Sequence, residues 1–152
     1  MKPFDLYRLA FLSIAISLGI ILIVSCKHEM RELAYGKDNC EHCRMTVIDP
    51  QFGAGMMTST GKVFAFDSGE CLIGYIKAKG TKPSEHYYVS DYMKPGTLID
   101  ASKAIFLHSD SIQSPMGGNL AAFFDTQEAK ATQQKIGGEL LSWGKLVGTH
   151  EN

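Results

Sequence analysis

The sequence predicts an α+β fold: two tandem ββαβ units in one compact domain behind a lipoprotein-type export signal. Three observations predict it. The alternating, aromatic-rich stretch Lys62-Val63-Phe64-Ala65-Phe66 runs straight into Asp67-Ser68-Gly69-Glu70, a strand followed by a helix start. The same phrase returns 58 positions later, where Leu120-Ala121-Ala122-Phe123-Phe124 runs into Asp125-Thr126-Gln127-Glu128. Each phrase also has a candidate strand before it and another after its helix. Self-similarity at a fixed offset is a statement about architecture.

Taken in order, the chain opens with Lys2 and Arg8 and then an apolar run from Leu9 to Val24, interrupted by Ser13, Ser17 and Gly19. Sixteen residues fall short of the roughly 18–20 that span a bilayer comfortably, so the form is that of an export signal. Its end, Ile23-Val24-Ser25-Cys26, resembles a bacterial lipoprotein box, in which cleavage precedes the Cys and the thiol is acylated. An uncleaved anchor or plain secretory signal is the alternative. Residues 1–25 are therefore expected to be a signal peptide with Cys26 the lipidated residue, and 26–39 a polar, lipid-anchored tether. The domain is expected over 40–148, with the two units at about 53–93 and 97–147.

In the first unit, strands are expected over 55–60 and 62–66. Asp67 and Glu70 form a capping box for a helix continuing through Cys71, Leu72, Tyr75 and Ile76, and a third strand covers 86–92. In the second, strands over 104–108 and 120–124 precede a helix that Asp125 caps and Gly137-Gly138 ends, and a last strand covers 139–143. Phe64, Phe66, Leu72, Ile76, Val89, Ile105, Phe106, Leu107, Phe123, Phe124, Ala129 and Trp143 should supply most of the core.

The net charge is −1, and about −2 once the signal leaves; no basic patch interleaved with aromatics occurs, which argues against a nucleic-acid partner. No Ser-His-Asp order and no phosphate-cradling glycine loop declares itself, so the chain does not read as an enzyme. What stands out is soft sulfur: four Cys and seven Met in 152 residues. With Cys26 lipidated, Cys40, Cys43 and Cys71 remain, an odd number in an oxidising compartment.

The densest signal is Cys40-Glu41-His42-Cys43-Arg44-Met45. Its C-x-x-C is either a redox pair or a pair of metal ligands. A thioredoxin-like site would place it between a strand and a helix, whereas here it precedes every expected strand. C-x-x-C-x-M gathers three sulfurs on six residues, and copper(I), a soft d¹⁰ ion, favours thiolate and thioether donors in low coordination numbers. A structural zinc site would want four ligands, commonly two such knuckles, and there is one. Met45 is either a ligand or the core residue that begins a strand. His42 is a solvated loop residue or a further ligand. Of the adjacent Met56 and Met57, one should face inward. Met116, in the irregular Ser114-Pro115-Met116-Gly117-Gly118, needs either a core to cover it or a metal to meet. Cys71 is a packing thiol on the helix's apolar face, or a ligand whose pKa the helix start lowers.

These residues resemble a known family. Asn39-Cys40-Glu41-His42-Cys43-Arg44-Met45, Gln51-Phe52, Gly61-Lys62-Val63, Phe66-Asp67-Ser68-Gly69-Glu70-Cys71-Leu72, Tyr88-Val89-Ser90-Asp91-Tyr92, Ala101 to Ala104, Ser114-Pro115-Met116-Gly117 and Ala121-Ala122-Phe123 are together similar to the nitrous oxide reductase accessory protein family, NosL. The resemblance runs, in order, through nearly the whole exported chain. It implies two ββαβ units and an outer-membrane lipoprotein, facing the periplasm, that binds one copper(I). That ion would be delivered while the copper sites of nitrous oxide reductase are assembled, beside an ABC-transporter maturation apparatus. It implies Cys40, Cys43, Met45 and Met116 as metal ligands, and Cys71 as matching a Cys of one branch. Arg44 departs from the Gly often found between Cys and Met, and Leu98 stands near where a Trp is common. The alternative function is a membrane-anchored thiol-disulfide oxidoreductase using Cys40 and Cys43.

Overall fold

The computed structural model describes residues 29–148 except 81, 83 and 84; the signal segment and Cys26 lie outside the described residues. The fold is α+β. Strands β1 (Ala54–Met57) and β2 (Val63–Phe66) lead into helix α1 (Gly69–Lys79), then β3 (His86–Asp91) and β4 (Lys94–Asp100). Strands β5 (Ile105–His108) and β6 (Leu120–Phe123) lead into α2 (Thr126–Ile136), β7 (Glu139–Ser142) and a short α3 (Trp143–Val147). One sheet runs β2-β1-β3-β6-β5-β7, with β4 on β3. In each half the first strand pairs antiparallel with both the second and the third. The halves meet where β3 and β6 run parallel at Asp91 and Ala122.

The strands of the second half carry a helix on each face, α1 of the first half on one and α2 on the other. Along β6, Leu120 and Ala122 join the cluster that includes Leu72 and Ile76 of α1, while Ala121 and Phe123 join the cluster with Ala129 of α2. This is the period-two alternation of a strand buried on both sides. Phe106 of β5 stacks on Trp143 at 5.8 Å between ring centroids.

Several expectations change. Asp67 does not cap α1: Ser68 does, its side chain accepting the Cys71 N–H, whereas Asp125 caps α2 as expected. Phe124 is 63% exposed rather than core, because the strand ends at Phe123 and the chain turns into the Asp125 cap. Both Met56 and Met57 are buried. Strand β1 is buried along its whole length, and the segment expected as a tether packs against the chain at Gly53 and Gly55. Leu33 is buried, and Met30 and Tyr35 pack against the core. Gly53 and Gly55 leave the room: a Cβ at Gly53 would come within 3.0 Å of Leu33 and Tyr35, and one at Gly55 would strike Met30. Residues 29–39 are thus folded onto the sheet.

The last strand ends at Ser142, which caps α3, so Trp143 is helical rather than strand. Strand β4 lies across the place where the second unit is expected to begin and has no counterpart among the expected strands. Pro95 and Gly96 look like breakers, but β4 pairs only with β3, and an edge strand tolerates proline.

Candidate metal centre

The Cys40–Met45 segment is a tight loop. An isolated antiparallel bridge joins Asn39 to Thr46, the Cys40 N–H donates to the Met45 carbonyl at 2.7 Å, and the Arg44 N–H donates to the Cys40 carbonyl at 3.0 Å. Arg44 takes φ +68°, the left-handed region where glycine is unstrained. The loop is pinned to the sheet by the Glu41 N–H donating to the Ala65 carbonyl at 2.8 Å. It is preceded by a turn in which Asp38 accepts from the Ala34 N–H and from the Arg31 guanidinium, each at 2.8 Å.

That fastening carries Cys40 and Cys43 onto the start of α1, where the Ser68 cap fixes Cys71. The three Sγ atoms lie within 4.8 Å of one another, and among the described residues they form the one such group of Cys, His, Asp or Glu donors. Cys40 and Cys71 are buried, Cys43 is half-buried, and all three are free thiols. Cys71 is buried, as a packing thiol would be, and its sulfur also lies with the other two; the expected lowering of its pKa by the helix start is overturned, because the neighbouring Cys40 and burial raise it instead.

The electrostatics follow from who donates to whom. Cys40 is pulled down to about 4, chiefly because it accepts the Cys71 S–H, with help from the backbone N–H groups of Cys43, Asp67 and His42. Cys71 is pushed far up because its proton is held by that thiolate and by burial. Burial also pushes Cys43 up, against a backbone hydrogen bond from Met45. Asp67, buried beside Cys40, is raised by desolvation and then by the thiolate's charge. One anion among two thiols is a poised, charge-sharing cluster.

The other expected ligands are all exposed. Met45 is 55% exposed and is not a core residue, although its backbone reaches both Cys40 and Cys43. His42 is exposed and lies over α1, where a Cβ at Gly74 would come within 2.9 Å of its Nε2; it does not join the sulfur group. Met116 is 43% exposed at the tip of its loop. The root of that loop is held by Glu70, whose Oε1 accepts from the Ser114 hydroxyl and, at 3.2 Å, from the Leu120 N–H. Sequence reasoning missed this use of Glu70, assigning it to a capping box; a contact across 44 positions leaves no local signal. It missed Asp67 as a backbone donor to Cys40 for the same reason.

The donor set tests well against a soft ion. Bonds of about 2.3 Å, the zinc–thiolate length taken as a guide for d¹⁰ ions, put three trigonal sulfurs about 4 Å apart. The spacing here accommodates that, and hard oxygen donors are not part of the group.

Three comparisons bear on the chain. The NosL family model matches residues 34–149. The copper-binding lipoprotein NosL of Stutzerimonas stutzeri is 28% identical over 120 residues, covering 74% of this chain and 63% of that protein. The chain thus spans less than two thirds of that relative's length. The crystal structure of the copper chaperone NosL from Shewanella denitrificans matches with a TM-score of 0.66 at 23% identity, over 76% of this chain and 93% of that one, which shows a shared fold. Both names describe binding or chaperoning rather than a reaction.

Proposed function

The chain belongs to the NosL family, and from that premise we propose that it is a copper(I) chaperone whose cargo sits among Cys40, Cys43 and Cys71. The observation that carries this is the convergence of three sulfurs, two of them buried, joined by no His, Asp or Glu donor among the described residues. Met45 and Met116, exposed beside the loop and at a loop tip, are the thioethers that complete or relay the site; His42 is a further candidate. A low-coordinate ion leaves room for an acceptor's sulfur or nitrogen to join before the chaperone's own sulfur leaves, so copper passes without being set free.

The relatives are named as a copper-binding lipoprotein and a copper chaperone, and the resemblance of the sequence motifs to the family extends the reading to an acceptor and an address. The acceptor is the assembly line of nitrous oxide reductase, served by its ABC transporter. Cys26 carries the lipid that holds the chain on the outer membrane, facing the periplasm, where confinement raises its effective concentration at membrane-bound partners. Among the described residues no helix is long and apolar enough to cross a membrane. The oxidoreductase alternative meets a physical objection. An attacking thiol must be both ionised and accessible, yet the ionised thiol, Cys40, has no exposed surface, and the less buried Cys43 is pushed toward the protonated form.

Titration of the reduced chain with copper(I) against a competing chelator tests the site. One ion per chain with an all-sulfur shell by X-ray absorption is expected, and Cys43→Ser should weaken binding by at least about a hundredfold. Unaltered affinity in Cys43→Ser and in Cys71→Ser would place the metal elsewhere. Transfer to copper-free nitrous oxide reductase, with loss of membrane retention in Cys26→Ser, tests the delivery and the anchor.

A further inference from the structure

Glu70 is a polar residue that neither helix capping nor the thiol cluster uses. Its Oε1 receives two hydrogen bonds from the other half of the molecule, one from the Ser114 hydroxyl and one from the Leu120 N–H. The Ser114 hydroxyl in turn accepts the Asn119 N–H at 2.9 Å, and the Gly117 N–H donates to the Ser114 carbonyl at 3.0 Å, so the loop closes on the residue that Glu70 grips. Gly118 lies flush on the Glu70 stem: a Cβ there would sit 2.5 Å from Cγ. Gly117 and Asn119 both adopt positive φ, which turns the chain sharply on either side of that contact. The loop therefore has a fixed root, while its tip, Pro115-Met116-Gly117, is exposed.

The second oxygen of the carboxylate, Oε2, is buried and has no hydrogen-bond partner among the described residues. A half-satisfied buried carboxylate is a poor choice for stability alone. Glu70 is also the residue immediately before Cys71 on the first turn of α1. We propose that Glu70 is a positioning residue for the metal site: by gripping Ser114 and Leu120 it ties the Met116 loop to the first turn of α1, so that the Met116 thioether and the Cys71 thiol are presented as one unit. This rests on the copper reading above and names the link through which a sulfur from the second half of the chain is held in register with thiols of the first.

The test uses the full chain in detergent micelles. In the metal-free protein, Glu70→Ala and Ser114→Ala should each deprotect the amides of Asn119 and Leu120 in hydrogen exchange. Copper(I) competition should then show each variant binding about tenfold more weakly, the range expected for a residue supporting a ligand. Met116→Ala should lose a similar factor, and Glu70→Ala with Met116→Ala should lose no more than Met116→Ala alone, because the two act through one sulfur. Glu70→Gln keeps an acceptor oxygen and should restore loop protection and affinity. Wild-type affinity in Glu70→Ala, multiplying losses in the double variant, or a Glu70→Gln as impaired as Glu70→Ala overturns the proposal while leaving the thiol site intact. A wild-type chain that binds no copper(I) overturns the site itself, and this inference with it.

Discussion

Copper binding at the thiol cluster should be strongly pH-dependent, and the direction follows from which sulfurs already carry charge. Cys40 is a thiolate at neutral pH, whereas Cys43 and Cys71 are pushed up and keep their protons. Loading the site expels those protons, so affinity rises with pH around neutrality, by up to roughly a hundredfold per unit if both leave, and falls in acid. Chelator competition at a series of pH values measures the slope; a flat profile would mean that binding expels no proton from Cys43 or Cys71. At Arg44, by contrast, stability is at stake. Its left-handed backbone costs a non-glycine residue about 1–2 kcal/mol, and its ion pair to Glu41 is exposed and contributes little. Arg44→Gly should therefore raise stability by up to about 1 kcal/mol in denaturant unfolding, after the extra unfolded-state entropy of glycine is subtracted.

At the scale of elements, turns and caps decide where the cysteines go. Asp38 is held below the ordinary carboxylate value by the Arg31 guanidinium and the Ala34 N–H. A depressed carboxylate contributes stability above its unfolded pKa and loses it as pH falls through the lower folded value. Asp38→Ala should thus cost about 1 kcal/mol at neutral pH, a deficit that shrinks once the pH drops below 3.8. Most of that figure belongs to the Ala34 hydrogen bond, since the Arg31 side chain is half exposed. After α2, Gly138 sits at φ +111°, and a Cβ there would come within 2.3 Å of the His108 carbonyl oxygen. Gly138→Ala must displace backbone, not a flexible side chain, and should destabilise the chain by more than about 2 kcal/mol in thermal or denaturant unfolding. An unchanged midpoint would show that the turn can re-form around a side chain.

Across the whole molecule, the two halves share one sheet and are joined by packing that no single unit supplies. Phe106 is buried between β5 and the Trp143 ring, whose other neighbour is Tyr87 of β3. Phe106→Ala should cost about 3–5 kcal/mol, as full truncation of a buried aromatic does. Because the cluster it belongs to also contains Cys40 and Cys71, the same change should loosen the thiol site. Calorimetry would register the first effect and copper competition the second. The thiol cluster is itself assembled from separate elements: Cys40 and Cys43 arrive on the loop before β1 and Cys71 on α1, while Met116, the thioether proposed to join them, lies on the loop before β6.

By itself the sequence determined the local elements and the chemistry. Alternating aromatics followed by Asp-Ser-Gly-Glu or Asp-Thr-Gln-Glu specify strand-to-helix joints, because period and capping are short-range properties of neighbouring residues. The concentration of soft sulfur named the metal class for the same reason, being a property of atoms and not of their arrangement. Tertiary structure decided what depends on distance. It folded residues 29–39 onto glycines that look like mere turn formers, hid both Met56 and Met57, left Phe124 in solvent, and allowed Pro95 into a strand because that strand is at an edge. It also brought the Cys71 sulfur to those of Cys40 and Cys43, and turned Glu70 from its own helix start to a loop 44 positions away. Contacts between residues remote in the chain are selected by the shape of the packed core, and no local pattern encodes that shape.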